Sequence, residues 1–190
     1  MKINQLIDEH IAVANALRAS EDLILKAADV CKTAILQGRK ILLAGNGGSA
    51  ADAQHIAAEF VGRFVKERRA LAAIALTTDT SALTAIANDY GFESIFSRQI
   101  EALGRENDVF IAISTSGNSP NIVRAVQAAT EKGMKIIILS GKNGGILRGQ
   151  GHVHIIVPSD ITARIQEMHI LIGHIICEAV DTAFENDMPV

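Results

Sequence analysis

The chain has no tryptophan, one tyrosine, six phenylalanines and three prolines in 190 residues, so a core of Ala, Ile, Leu and Val is expected. Cysteine is also scarce. Cys31 and Cys177 are the only two, both within apolar helical patterns, and they read as reduced, buried thiols rather than as a disulfide framework. Positive charge is not in excess: Lys and Arg total 18 against 21 Asp and Glu, a net charge of −3. That balance supplies no general electrostatic footprint for nucleic acid. No apolar run reaches membrane-spanning length. The opening MKINQLIDEHIA places acidic residues where the apolar run of a secretion signal would lie. A cytoplasmic protein with no nucleic-acid or membrane partner is the expectation. Hydrophobic residues make up 48% and charged residues 21%, a balance that argues for a packed domain against disorder.

Five short apolar runs read as buried strands: 40–45, 71–77, 108–114, 135–141 and 152–158. Helical patterns lie between them at Ser49–Phe64, Ser81–Asn88 and Glu93–Leu103. A further helix starts at Ser119-Pro120, where Ser can cap and Pro suits the first turn, and Gly133 ends it. Strands alternating with helices predict an α/β fold, a doubly wound parallel five-stranded sheet in three layers. Residues 1–37 read as amphipathic helices, an N-terminal oligomerisation segment on a single domain at 38–190. Residues 161–185 read as a long C-terminal helix, apolar on more than one face around Ile170, Leu171, Ile172, Ile175, Ile176 and Val180. Packing of that helix between subunits is expected.

Two of the strands end in small residues and then start a helix. In GNGGS (45–49) the spacing is not that of a dinucleotide fingerprint, and no GK[ST] follows. It serves equally as a tight turn or as an anion cradle. In STSGNS (114–119), Ser114, Thr115, Ser116 and Ser119 place four hydroxyls around one glycine. Hydroxyls and unpaired helix-start amides together can saturate phosphate oxygens, so this loop points to a phosphorylated small molecule. Ligands in such sheets bind at the carboxyl ends of the strands, where both loops fall.

His55 and Glu59 are spaced i, i+4 and project from one helix face. Gln166 and His174 are eight residues apart on the last helix, about 800° of turn, so they broadly share a face. Two imidazoles, a carboxylate and an amide oxygen can bind zinc or another divalent ion. Spacing alone leaves that open, because a single helical histidine is most often structural. Glu167 reads as a surface charge, and His152, His154 and His169 stay unassigned. Asn88-Asp89 serves either as a helix stop or as a loop that bonds sugar hydroxyls.

The segments AGNGGSAADAQHIAAEFVGRF, ALTTDTSALTAIANDYGFESIFSRQIEALG, ISTSGNSPNIVRA and ARIQEMHILIGH closely resemble the sugar-isomerase (SIS) domain family. The likeness is closest to members acting on a heptose phosphate, and covers nearly the whole chain. It implies a flavodoxin-like sheet, a homotetramer with active sites between subunits, and one zinc ion per site. It implies an aldose–ketose isomerase converting D-sedoheptulose 7-phosphate to D-glycero-D-manno-heptose 7-phosphate, the first step toward activated heptose for surface polysaccharide. Carried across by motif, the metal ligands are His55, Glu59, Gln166 and His174, with Glu59 as base and His174 as its acid–base partner. The substrate contacts are Asn46, Gly47, Gly48, Glu59, Asn88, Asp89, Ser114, Thr115, Ser116, Ser119 and Gln166. The alternatives are a non-catalytic SIS protein that binds the replication initiator, or a sugar-phosphate sensor. The first lacks the Glu and the second His and carries a charge in place of Ser116; all three positions are intact here. The second normally carries a DNA-binding helical domain, and residues 1–37 are too short and too acidic for one.

Overall fold

Three of the apolar runs have no polar face to offer solvent, and they form the centre of the sheet. A computed structural model describes residues 2–185 of the chain; the last five residues of the expected 38–190 domain lie outside it. The elements in order are α1 (Ile3–Leu17), α2 (Glu21–Leu36), β1 (Ile41–Gly45), α3 (Gly48–Val61), β2 (Ala73–Ala75), α4 (Thr80–Tyr90), α5 (Ser97–Leu103), β3 (Val109–Ser114), α6 (Pro120–Glu131), β4 (Lys135–Gly141), β5 (Val153–Val157) and α7 (Thr162–Phe184). The strands pair in the order β2-β1-β3-β4-β5, all parallel.

β1, β3 and β4 are buried almost throughout because helices cover both faces of the sheet. Ile41, Leu43, Ile111 and Ile137 point into one core with α2, α3 and α7. Leu42, Phe110 and Ile138, offset by one residue, point into the other with α5 and α6. The edge strands differ. β2 is shorter than expected, three residues paired with Ile41–Leu43 alone, and its Ile74 is exposed. The expected helix at 93–103 is split into a 3₁₀ turn at Phe92–Ser94 and α5. There the Ser94 and Ser97 hydroxyls bond the carbonyls of Tyr90 and Ser94 and compete with the helical ladder. Gly133, at positive φ, closes α6 as expected. Ser119 precedes α6, but its hydroxyl faces Ser114 Oγ instead of capping the helix.

The expectation for α7 needs correction. Ile172, Ile176 and Val180 are buried within their own chain, under α2 and α3. Of the six apolar residues singled out on this helix only Leu171 is exposed, and Ile170 and Ile175 are half-covered. Burial of each such side chain contributes about 1.5–3 kcal/mol, so the helix is a core element of the single chain. A run of uncovered apolar side chains lies instead on α1, where Ile3, Leu6, Ile7 and Ile11 are all more than 40% exposed. Glu167 is not a free surface charge. It accepts from Arg164 and meets His10 Nδ1 at 2.8 Å, while Arg164 Nη1 donates to the Leu6 carbonyl. These contacts fasten α1 to α7.

His169 on α7 is fully buried, with Nε2 on the Ser140 carbonyl at 3.0 Å. Burial lowers its pKa to about 4, the Ser140 bond partly opposing the shift. Burial lowers His152 and His154 as well. An unfolded histidine takes up a proton near pH 6.5 that folded His169 refuses until about pH 4. Folding therefore loses stability as pH falls through that window, by on the order of 3 kcal/mol from this residue. His169→Gln keeps a donor for Ser140, and denaturant melts between pH 7 and 4 are expected to show a shallower slope than wild type.

Candidate active site

β1 is followed by α3 on one face of the sheet and β3 by α6 on the other, so the two loops open into the crevice where the strand order reverses. Gly45 pairs with Ile113 at the ends of β1 and β3, which sets the loops side by side. In the first loop Gly47 takes φ 55°, ψ −120°, a conformation that costs a residue with a side chain dearly. The turn directs the start of α3 into the crevice. Among the described residues no acceptor meets the N–H groups of Gly47, Gly48, Thr115, Ser116 or Ser119. Five open donors at two helix starts form an anion cradle. Ser114 and Ser119 bring their hydroxyls within 3.1 Å of each other at its base.

The expected acid–base and metal-ligating side chains come together where α3 and α7 pack. His55 Nε2 is 3.0 Å from Glu59 Oε1 and 3.2 Å from His174 Nε2. One ligand atom from each of His55, Glu59 and His174 falls within 4.8 Å of the others. Two imidazole nitrogens facing each other with a carboxylate alongside form a donor set that suits a divalent cation. Phe64, in the loop after α3, stacks on His174 at 5.2 Å between centroids. Asp52 precedes His55 by one turn. Burial raises its pKa, His55 partly offsetting the effect, and its Oδ2 is buried without a partner.

Other expected members stand elsewhere. Gln166 lies two turns before His174 with its amide against Gly48, and makes no hydrogen bond to the His–Glu–His cluster. Asn88 and Asp89 are exposed in the last turn of α4, bonded to each other at 2.8 Å. Sequence reasoning also missed residues that hold the walls in place. Arg68 is buried with Asp181: its Nε donates to Oδ1 at 2.7 Å, and its other nitrogens donate to the carbonyls of Glu59, Phe60, Gly62 and Arg69. Asn121 bonds Asn46 across the crevice in both directions, at 2.9 and 2.8 Å.

The SIS domain family matches this chain over residues 6–141. A phosphoheptose isomerase of Campylobacter jejuni is 57% identical over 176 residues, covering 93% of this chain and 95% of that one. The chain belongs to the SIS domain family. Another phosphoheptose isomerase, from Aquifex aeolicus, is 58% identical over 158 residues, covering 83% of each chain. The solved SIS-fold structure of phosphoheptose isomerase GmhA from Neisseria gonorrhoeae superposes with TM-score 0.89 at 47% identity, covering 95% of this chain and 97% of that one. A phosphoheptose isomerase from Francisella tularensis gives TM-score 0.92 at 39% identity, with coverage of 95% and 96%. The expected parallel five-stranded sheet, with its flanking helices and long last helix, is the SIS fold seen here.

In this SIS domain Gly173 allows α7 to approach α3. A Cβ there would lie 2.5 Å from Ile56 Cδ1, below any real contact. Gly173→Ala is expected to push the helices apart, lowering stability by about 1–3 kcal/mol and separating His55 from His174. A Cβ would also lie 2.7 Å from Ile56 Cγ1, which Val keeps, so adding Ile56→Ala, which removes both atoms, is expected to restore part of the turnover.

Proposed function

We propose that this chain is a sugar-phosphate isomerase converting D-sedoheptulose 7-phosphate to D-glycero-D-manno-heptose 7-phosphate, on the route to activated heptose for surface polysaccharide. The observation that carries the reading is the His55–Glu59–His174 cluster, two of whose members ride on the helix that begins at one of two neighbouring open helix starts. The names of the relatives at 57% and 58% identity support the substrate class.

The ketose carries its carbonyl at C2 and a hydroxyl at C1. Glu59 removes a proton from C1, and the electron pair forms the C1–C2 double bond of an enediolate. His174 supplies a proton to O2 and accepts one from O1. Return of the proton from Glu59 to C2 leaves an aldehyde at C1, and atoms and charge balance. The amides of Thr115, Ser116 and Ser119, with their hydroxyls, hold the phosphate, while Asn46, Gly47 and Gly48 face the sugar. Asn88 and Asp89 are proposed as contacts to sugar hydroxyls from the end of α4.

One zinc ion per site fits the donors, with His55, Glu59 and His174 as ligands and Gln166 as the member this chain alone does not bring to the cluster. Such an ion would polarise the carbonyl oxygen and stabilise negative charge on the enediolate. A closed homotetramer is supported by the exposed stripe Ile3, Leu6, Ile7 and Ile11 on α1. That stripe supports an oligomerisation role for α1 within residues 1–37, while α2 turns one face into the domain core and leaves Leu23, Leu25 and Leu36 exposed. No helix among the described residues is long and apolar enough to cross a membrane. Two free buried cysteines fit a cytoplasmic setting.

Incubation with sedoheptulose 7-phosphate, followed by NMR, tests the activity directly. Glu59→Gln is expected to lower kcat by about 10²–10⁴-fold while substrate still binds. Elemental analysis of tag-free protein is expected to give one divalent ion per site. Near-wild-type kcat in Glu59→Gln at unchanged metal content removes Glu59 from the role of base.

Ile7→Asp and Ile11→Asp together are expected to leave the melting temperature of the domain nearly unchanged and to reduce its mass in light scattering. A wild-type monomer with full activity defeats the assembly.

A further inference from the structure

The hydroxyl-rich loop 114–119 that grips the phosphate follows β3 and leads into α6, while His55 and Glu59 of the acid–base cluster follow β1 on α3, and the two helices lie on opposite faces of the sheet. Something must fix the separation of loop and cluster, because an open-chain sugar phosphate has to reach from one to the other. The ladder between β1 and β3 ends at Gly45 and Ile113, before either loop begins its turn. Beyond it, the reciprocal amide pair of Asn46 and Asn121 makes the only hydrogen bonds between the two loops among the described residues. Asn121 is 2% exposed and is the second residue of α6. On its other flank the phosphate loop is held toward β4 and β5, where Asn118 Oδ1 accepts from Ile146 N at 2.8 Å and Gly117 O from Leu147 N at 3.2 Å. Those contacts fix the loop's shape but carry no reference to α3. Among the described residues only the Asn46–Asn121 pair hydrogen-bonds the loop to the turn from which His55 and Glu59 are suspended.

We propose that Asn121 is a positioning residue that sets the distance from phosphate grip to acid–base cluster, and thereby selects the carbon-chain length of the sugar phosphate turned over. This rests on the isomerase reading given above. With phosphate seated, each added or missing carbon moves C1 and C2 relative to Glu59 and His174. A displacement of about 1 Å at the reacting atoms can cost 10²-fold, so a fixed separation acts as a ruler. A carboxamide is required because each partner both donates and accepts. Asp at this position keeps the acceptor for Asn46 Nδ2 and loses the donor; Leu keeps the approximate shape and loses both.

The test compares wild type, Asn121→Leu and Asn121→Asp on ketose phosphates of five, six and seven carbons, with affinity for inorganic phosphate measured separately. The kcat/KM preference for seven over six carbons is expected to fall about tenfold in Asn121→Leu, as two buried hydrogen bonds are lost, and less in Asn121→Asp. Affinity for inorganic phosphate is expected to stay at the wild-type value in Asn121→Leu, because the loop keeps its amides and hydroxyls. In Asn121→Asp it is expected to fall, and binding of all three substrates equally with it, because the carboxylate repels the anion. A folded variant with unchanged length preference, or with equal losses on all three substrates, overturns the inference while leaving the isomerase reading standing. A wild type that turns over none of the three overturns both. If Asn121→Leu does not fold, the near-isosteric Asn121→Asp decides alone.

Discussion

The close packing of α3 on α7 is the constraint on which the site depends. His55 and Glu59 ride on one helix and His174 on the other, and neither helix alone offers more than two of the three groups. At the middle of the contact the absence of a side chain on Gly173 lets Ile56 nest against the α7 backbone. At the C-terminal end of α3 the tie is electrostatic. Asp181 on α7 accepts from the amides of Val65 and Lys66 and from Arg68, and Arg68 donates to the carbonyls where α3 ends. Burial alone would raise the Asp181 pKa, but those donors more than offset it and hold the carboxyl below its usual range. Forming a buried pair gains little net stability, whereas removing one partner typically costs about 3–5 kcal/mol. The pair also fixes the carbonyl of Glu59, so a residue outside the crevice governs where the proposed base stands.

The sheet is cross-tied at both ends of its two central strands. At the N-terminal edge the buried Asp108 accepts from Lys40, both main chain and side chain, and from the Arg105 amide. At the carboxyl edge the Asn46–Asn121 pair spans the crevice. The first tie is charged and lies at the end away from the loops. The second is neutral, which suits a crevice that must receive an anion without a carboxylate or an ammonium competing for its donors.

Much of this was legible from sequence because it is local. Doubly covered strands leave continuous apolar runs, so β1, β3 and β4 read clearly. The i, i+4 pair His55 and Glu59 and the hydroxyl-rich loop after β3 are likewise contained in short windows. What sequence did not carry is pairing at long separation. Asn121 looked like any residue in a first helical turn until Asn46, 75 residues earlier, was found bonded to it. Glu167 looked like a surface charge because its partner His10 lies 157 residues away. The apolar faces of α7 were read correctly as buried but assigned to the wrong partner, since periodicity reports that a face is covered and not which chain covers it. The edge strand β2 was overextended because the chain turns at Leu76–Thr77, so pairing stops at Ala75 although β1 runs on to Gly45, and the apolar run itself does not show the turn.

Cys31 on α2 and Cys177 on α7 are both shielded from solvent, at 0% and 2% exposure, and burial drives both thiols up, Cys177 to about 12. Each also feels the other's charge or that of nearby groups across the layer between the two helices. A thiol reagent therefore reaches neither while that layer is closed. The chain carries its own clock for opening of the helical layer behind the His–Glu–His cluster: the rate at which the two sulfurs react with such a reagent measures how often α2 and α7 part, with no cysteine introduced.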